Sequence, residues 1–226
     1  MPRTGTDGRI ERGNQTRRTI LRRAVEIASV EGLEGLSLGR LAGELDLSKS
    51  GVFALFGSKE ELQLATVRAA VKVFIEYVVQ PARDEPAGLG RLERLCHNWL
   101  THSAQRVFPG GCFFYSVTAE YDARQGKVHD AVASAHGTWF ALVEQMVDQA
   151  KETGEIRAAA DSSQLAFELV ALLEMANAES VLHGNFSCYA KAADGIISRL
   201  RSVATDPSLL PGTLALEPPA PAGPRA

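Results

Sequence analysis

The chain has 226 residues, of which 45% are hydrophobic and 23% are charged, and its net charge is −3. This composition is ordinary for a soluble globular protein, and it excludes a disordered chain, a collagen and a disulfide-rich scaffold. Three cysteines are too few for a disulfide framework and odd in number, so we expect reduced thiols and a cytoplasmic location. The most apolar stretch, residues 165–182, contains three glutamates, so we predict neither a membrane span nor a membrane partner.

The charge is unevenly distributed along the chain. Residues 1–23 contain seven arginines against Asp7 and Glu11, which gives a local charge of +5. A basic edge on an acidic body is typical of phosphate-binding proteins, although solubilising ends of this kind are also common. We predict that residues 1–13 form a basic flexible arm.

Apolar residues follow a helical period through most of the chain, and no alternating strand pattern is present. Those in 20–28 repeat every three or four positions, and Gly32 is a natural end for that helix. Ser37, Ser48 and Ser58 each precede another apolar helical pattern, so each is predicted to be an N-cap.

Proline placement sets the remaining boundaries. The helix that Ser58 opens is predicted to end before Pro81, because proline lacks the N–H that a helix interior requires. Six of the ten prolines follow residue 206, so residues 206–226 are predicted to be a disordered tail. Further helices are predicted over residues 87–107, 112–120, 126–152, 161–183 and 187–204. The fold class is therefore all-α.

Residues 37–56 have the spacing of a helix-turn-helix. Asp46 and Leu47 connect a helix that ends near residue 45 to one that Ser48 opens. Serine side chains and the helix N-terminus can bind phosphates, and a lysine at the same end supplies positive charge. The predicted exposed face of the second helix consists of Lys49, Ser50, Gly51, Phe53 and Ala54. A helical hairpin that only packs against the body has the same spacing and is the alternative reading of these residues.

Three segments, 16–33, 36–42 and 47–62, carry a family resemblance. The second helix opens on Ser48-Lys49 and has an aromatic residue five positions after the serine; Phe56 and the run Ser58-Lys59-Glu60-Glu61-Leu62 follow. These residues resemble the N-terminal domain of TetR/AcrR-type transcriptional regulators. The similarity covers about residues 14–64, and the all-helical remainder fits it.

The resemblance implies a transcriptional regulator and not an enzyme. Such a protein is expected to bind a palindromic operator in double-stranded DNA as a homodimer, most often as a repressor. The family's motif and the residue pattern together give the candidate DNA-binding residues Arg17, Ser37, Arg40, Ser48, Lys49, Ser50, Gly51, Phe53, Ala54 and Lys59. The basic arm is expected to follow phosphates rather than enter a minor groove.

The chain departs from the family's pattern in and around the second helix. Asp46 stands where glycine is common, and aspartate tolerates the left-handed conformation better than most residues. Phe53 lacks the hydroxyl of the usual tyrosine. Ala54 and Leu55 replace polar residues, so direct base readout is expected to rest on Lys49, Ser50 and apolar contacts with thymine methyl groups.

The predicted organisation has four parts. The arm precedes an N-terminal three-helix helix-turn-helix DNA-binding domain over residues 14–60, and the tail follows residue 205. Between them, residues 61–205 are predicted to form a larger C-terminal helical ligand-binding and dimerisation domain. The two apolar helices over 161–183 and 187–204 resemble the pair that dimerises in the family. Their candidate interface residues are Phe167, Val170, Ala171, Glu174, Ala178, Val181, Ile196, Ile197 and Leu200, with intrachain core as the alternative role.

Aromatic and polar residues of the C-terminal part are candidates for a ligand pocket, because ligand sites are apolar cavities with a few polar groups. Their apolar bias predicts a small lipophilic or aromatic effector of unknown identity. A place in the core is the alternative for each. The candidates are Phe74, Tyr77, Trp99, His102, Cys112, Phe113, Phe114, Thr118, Trp139 and Asn177.

Gly110 and Gly111 place Cys112 near the start of a helix, where a thiolate is stabilised. The alternative function for the protein is therefore a regulator that responds to oxidants or electrophiles through Cys112. If Cys112 is not reactive, it is instead a small buried side chain at a tight packing point. No cofactor, metal ligand or catalytic residue is predicted, because the sequence has no metal-ligand spacing and no nucleophile with a local base.

Overall fold

The computed structural model describes residues 4–214 and 216. These residues form ten α-helices and no strand longer than an isolated bridge, so the all-α prediction is confirmed. The helices are α1 (Thr4–Glu31), α2 (Leu38–Glu44), α3 (Lys49–Phe56), α4 (Lys59–Phe74), α5 (Gln80–Arg83), α6 (Leu89–Ala104), α7 (Phe113–Tyr121), α8 (Lys127–Glu152), α9 (Ser162–His183) and α10 (Ser187–Val203). None of the helices within this part of the chain has the length and apolar character that a membrane crossing requires.

Two hydrophobic cores lie side by side in the fold. The larger is built from α5, α6, α8, α9 and α10, and Trp99 is among its buried side chains. The smaller contains α1 to α4 and is completed by α7 and the start of α8, through residues such as Phe113, Val117 and Tyr121. The core beneath the helix-turn-helix therefore draws on residues far beyond position 60.

The predicted arm and tail differ from the observed chain. Helix α1 already begins at Thr4, because no proline between positions 3 and 80 interrupts it. After α10, Leu210 and Leu214 are buried in the larger core, and Arg201 Nη2 donates to the carbonyl of Pro211 at 2.7 Å. Residues 206–214 are thus ordered by apolar burial, contrary to the prediction, while residues 1–3 and 217–226 lie outside the described residues.

The helix that was predicted to end before Pro81 continues past it. A π-helical turn over Ile75–Val79 joins α4 to α5, and Pro81 is the second residue of α5. Pro81 supplies no N–H to this continuous helix, and the wider π-helical turn directly before it accommodates the interruption. Asn98 Nδ2 donates to the carbonyl of Val78 at 3.1 Å, so a neighbouring helix satisfies part of the distorted backbone.

Candidate functional site

Helices α2 and α3 form a tight helix-turn-helix. Each begins at the predicted N-cap: Ser37 Oγ accepts from the backbone N–H of Arg40 at 3.1 Å, and Ser48 Oγ accepts from that of Gly51 at 3.1 Å. Asp46 adopts the left-handed conformation, with φ of +52°, as its place in the turn predicts. The apolar residues of α2 and α3 point into the smaller core, so the opposite face of α3 is exposed to solvent.

The exposed face of α3 is the one that the sequence predicts. Lys49, Ser50, Gly51, Phe53 and Ala54 are all exposed, and 57% of the Phe53 surface is accessible. A large apolar side chain this exposed is available to contact a partner. Lys49 forms no ion pair with any carboxylate in the described part of the chain, so its charge faces outward at the helix N-terminus.

The three other cationic candidates have partners within the chain. Arg17 Nη1 donates to the carbonyl of Leu55 at 2.6 Å, and its guanidinium lies 4.4 Å from the ring centroid of Phe56. Arg17 thus fixes α1 against the end of α3. Whatever part Arg17 has in DNA contact, its first role is to position the exposed helix.

Arg40 and Lys59 are held by carboxylates. Arg40 Nε donates to Glu44 at 2.7 Å and Nη2 donates to Glu31 at 2.7 Å. Lys59 Nζ donates to the carboxylate of Glu34 at 2.7 Å, and this hydrogen bond lowers the pKa of Glu34 to about 2. These pairs neutralise much of the basic charge that the sequence places around the helix-turn-helix.

Hydrogen bonds connect the segment that follows α1 to the end of α7. The carboxylate of Glu120 accepts from the backbone N–H groups of Leu33 and Glu34 at 2.7 and 2.9 Å, just after α1 ends. Tyr121 Oη donates to Glu34 at 3.0 Å. The sequence analysis does not identify this role of Glu120, because its backbone partners lie more than 80 positions away.

The segment 110–112 connects the same two parts of the molecule. The N–H of Gly110 donates to Ser29 Oγ on α1 at 3.1 Å, and the N–H of Cys112 donates to Asn177 Oδ1 on α9 at 2.7 Å. A Cβ added to Gly110 would lie 1.9 Å from the carbonyl oxygen of Ser29. The two glycines are therefore required by close contacts on both sides.

A cavity of about 800 Å³ lies between α4, the π-helical turn and α5 to α9. Five of the ten predicted pocket residues line it: Phe74, Trp99, Cys112, Phe114 and Trp139. Its polar lining includes several residues that sequence reasoning missed for this role, namely Arg68, Lys72, Arg83, His136 and Glu174. Arg68 and Lys72 are four positions apart on α4, a spacing that indicates a common helix face.

The other five predicted pocket residues lie outside this lining. Phe113 is fully buried in the smaller core, and Asn177 Oδ1 is hydrogen-bonded to Ser103. Thr118 is half-buried on α7, Tyr77 is exposed beside the groove between α1 and α4, and His102 is buried against Phe108. Of the six Phe, Tyr and Trp candidates, four line the cavity, Phe113 lies in the smaller core and Tyr77 is exposed.

Cys112 caps α7 as predicted, but its environment opposes ionisation. The residue is 3% exposed, and burial raises the pKa of its thiol to about 11, although the N–H groups of Tyr115 and Phe114 act in the opposite direction. A thiol with this pKa is almost entirely protonated at neutral pH. This weakens the alternative function through Cys112. No three His, Cys, Asp or Glu side chains within residues 4–214 are grouped as a metal site requires.

The predicted dimer residues divide into two sets. Val170, Ile196, Ile197 and Leu200 are buried in the larger core of the same chain, which corrects the prediction for these four. Glu174 and Ala178 are half-buried, and the other three, Phe167, Ala171 and Val181, are exposed. Met175 and Leu182, which the sequence analysis missed, are 60% and 77% exposed and extend the same apolar side of α9.

Comparison with sequence families identifies both parts of the chain. The family described as "Bacterial regulatory proteins, tetR family" matches residues 20–66. The family described as "Tetracyclin repressor-like, C-terminal domain" matches residues 88–196. No curated protein sequence matches the chain.

Several solved structures share the fold. A TetR regulator from Chloroflexus aurantiacus has a TM-score of 0.79 and 20% identity, covering 86% of this chain and 98% of that one. A regulator from Saccharomonospora viridis in complex with choline has a TM-score of 0.71 and 20% identity, covering 85% and 100%. AibR in complex with isovaleryl coenzyme A and operator DNA has a TM-score of 0.59 and 20% identity, covering 71% and 85%. With its helix-turn-helix and its helical C-terminal part both matched, this chain belongs to the TetR family of DNA-binding transcriptional regulators, which are not enzymes.

Proposed function

We propose that the protein is a repressor that binds a palindromic operator as a homodimer and leaves it when a small lipophilic or aromatic effector occupies the cavity. The observation that carries this proposal is the exposed face of α3. It presents Lys49, Ser50 and Phe53 beside a serine-capped helix N-terminus, with Phe53 57% exposed and Lys49 in no ion pair among the described residues.

The proposed base readout relies on few contacts. Lys49 can donate to guanine or to a phosphate, and Ser50 to either. Phe53 and Ala54 offer apolar surface to thymine methyl groups. Ser37 and Ser48 are proposed to donate their hydroxyl hydrogens to phosphates while their oxygens accept the capping N–H groups. Gly51, whose own N–H is used by Ser48, is proposed to let the DNA backbone approach closely because it has no side chain. Arg17, Arg40 and Lys59 can reach DNA only by sharing or giving up the internal partners described above.

The proposed dimer forms through the exposed side of α9, which α10 supports by packing against it within the chain. The exposed apolar side of α9, from Phe167 through Ala171 and Met175 to Leu182, is continuous at helical spacing. Exposed apolar patches of this kind mark protein interfaces. A symmetric pairing would place two copies of α3 on successive turns of one DNA face, as a palindromic operator requires.

The proposed effector site is the cavity. Its volume of about 800 Å³ falls in the range of small-molecule sites, and its wall combines aliphatic side chains with the rings of Phe74, Trp99, Phe114 and Trp139. The complexes of AibR with isovaleryl coenzyme A and of the S. viridis regulator with choline support a ligand-binding role for this fold. Release from DNA follows if the effector binds the DNA-incompetent conformation more tightly.

Fluorescence anisotropy with DNA from upstream of the protein's own gene tests the proposal. We expect two protomers per palindrome, and we expect Lys49→Ala to weaken binding by about tenfold, as the loss of one charged contact predicts. Arg157→Ala removes an equal charge from an exposed loop remote from α3 and should bind like the unaltered protein. Equal affinity of Lys49→Ala and the unaltered protein would reject α3 as the reading helix. If the upstream DNA does not bind, selection from random DNA identifies the operator for the same comparison.

A further inference from the structure

Three cationic side chains surround one side of the cavity. Arg68 and Lys72 project from α4 and Arg83 from α5, and all three are exposed and line the cavity. Within the described residues, none of them forms a salt bridge, in contrast to Arg23, which pairs with Glu26 and Glu44. Their charges are therefore available to a ligand.

The interior beyond these cations is apolar and aromatic. The ring of Phe74 meets those of Trp139 and Phe114 edge to face, with centroids 5.1 and 5.6 Å apart. Trp99 and Leu142 continue the wall. A ligand that fills the space against these rings needs an apolar body.

We propose that the cavity binds an amphipathic anion, with a carboxylate or phosphate head at Arg68, Lys72 and Arg83 and an apolar chain or ring body against Phe74, Trp99 and Trp139. This inference rests on the proposed function, in which the cavity is the effector site. Lysine and arginine are the side chains that bind both kinds of head, and an exposed mouth keeps the head hydrated while the body is buried.

A cationic ligand is the competing possibility, because Glu174 on α9 also lines the cavity beside aromatic rings that attract cations. The balance of charge opposes it. One carboxylate faces three cations, and burial raises the pKa of Glu174 toward its neutral form, although His136 acts against this shift. A cation would also have to pass the basic mouth.

The cations also connect the proposed site to the helix-turn-helix region. Arg68 and Lys72 border a second groove, between α4 and α1, whose charged lining also includes Arg18, Arg22, Glu26 and Glu76. An anion bound at the mouth would change the balance of charge in this groove. The helix that carries Arg68 and Lys72 leads directly to the DNA-binding domain, so head-group binding would act on that helix.

Tryptophan fluorescence provides the test, because the protein has two tryptophans and both line the cavity. The full-length protein, without DNA, is titrated with decanoate, decyl phosphate, decanol and decyltrimethylammonium, all below their micelle concentrations. We expect both anions to quench the fluorescence and to bind about tenfold more tightly than decanol, and their affinity to fall with added salt. The relative affinity of decanoate and decyl phosphate distinguishes a carboxylate ligand from a phosphate ligand.

Variants connect the preference to the residues. The double variant Arg68→Gln/Lys72→Gln and the variant Arg83→Gln should lose the preference for anions and keep binding of decanol. Arg157→Gln, which removes a distant exposed charge, should keep it. Equal binding of decanol and decanoate, or no quenching by any probe, overturns the anion site. So does preferential binding of decyltrimethylammonium that Glu174→Gln abolishes. These titrations contain no DNA, so their results do not depend on operator binding, which is measured separately by anisotropy. A failure of the anion site can therefore be distinguished from a failure of the proposed DNA binding.

Discussion

His102 is a buried titratable side chain without polar partners. It is 2% exposed, its ring packs edge to face against Phe108 and Phe74, and neither ring nitrogen has a hydrogen-bond partner in the described part of the chain. Burial lowers the pKa of His102 to about 4. At neutral pH the imidazole of His102 is therefore uncharged in the folded protein.

This environment predicts a loss of stability in mild acid. The unfolded chain binds a proton at His102 below pH 6.5, while the folded chain binds it only below about pH 4, so the free energy of unfolding falls as the pH drops through this window. The shift corresponds to about 3 kcal/mol. His102→Leu should remove this part of the pH dependence and raise stability at pH 7 by about 1 kcal/mol. Urea unfolding between pH 4 and 7 measures both effects.

The control for this prediction is His183→Gln, because His183 is exposed at the end of α9. His183 lies 3.9 Å from the exposed carboxylate of Glu179, and an exposed pair of this kind contributes little to stability, so His183→Gln should change the pH dependence far less than His102→Leu. A pH dependence that is as steep in His102→Leu as in the unaltered protein would mean that other groups cause it.

At the scale of the elements, local signals predicted where helices begin. Ser37, Ser48 and Ser58 each accept a hydrogen bond from the N–H three residues on, as their positions before apolar runs suggested. Such caps need only neighbouring residues, so the sequence alone reveals them. The helix-turn-helix and its exposed face could be predicted for the same reason.

Features that depend on tertiary contacts could not be predicted from the sequence. Helix continuation past Pro81 depends on a π-helical turn that Asn98 helps to satisfy, and order in residues 206–214 depends on space for Leu210 and Leu214 in a distant core. The ion pairs of Arg40 and the cations around the cavity likewise involve several helices. For this reason, only half of the predicted pocket residues line the cavity.

The turn between α2 and α3 gives a prediction at this scale. Asp46 has a φ of +52°, a conformation that costs most side chains roughly 1–2 kcal/mol. Asp46→Gly should therefore unfold at the same or a higher urea concentration, whereas Asp46→Val should lose about 1–2 kcal/mol of stability. Asp122, with a φ of −55°, is the control, and Asp122→Val should change stability by less than about 0.5 kcal/mol. Equal stability of Asp46→Gly and Asp46→Val would contradict a strained turn.

At the scale of the whole molecule, α1 and α9 are connected through residues 110–112. Gly110 lies against the carbonyl of Ser29, and Cys112 donates to Asn177 while it lines the cavity. One short segment thus contacts the DNA-binding domain, the helix of the proposed dimer interface and the cavity wall. A displacement at any of the three reaches the others through fixed contacts.

Gly110→Ala tests this connection. The added methyl group would lie 1.9 Å from the Ser29 carbonyl, so α1 or the loop must shift, and we expect a loss of about 1–3 kcal/mol together with weaker operator binding. Gly137→Ala is the control within α8, because a Cβ there meets no atom within 4 Å. It should stabilise the protein by up to about 1 kcal/mol and leave operator binding unchanged. Urea unfolding and DNA anisotropy measure both, and unchanged operator affinity in a folded Gly110→Ala would exclude the segment as a coupling element.

The smaller core also determines which segments must be exchanged together in a chimera with another regulator. Phe113, Val117 and Tyr121 of α7 complete the interior beneath the helix-turn-helix, and Glu120 binds the backbone that follows α1. A chimera cut after residue 60 would leave that interior open on one side and two backbone N–H groups unpaired. The unit that can be exchanged between regulators therefore consists of two pieces distant in the sequence, the first 74 residues and residues 108–132, which hold Phe108, α7 and the start of α8. A new DNA-binding domain can be transplanted only together with its matching second piece.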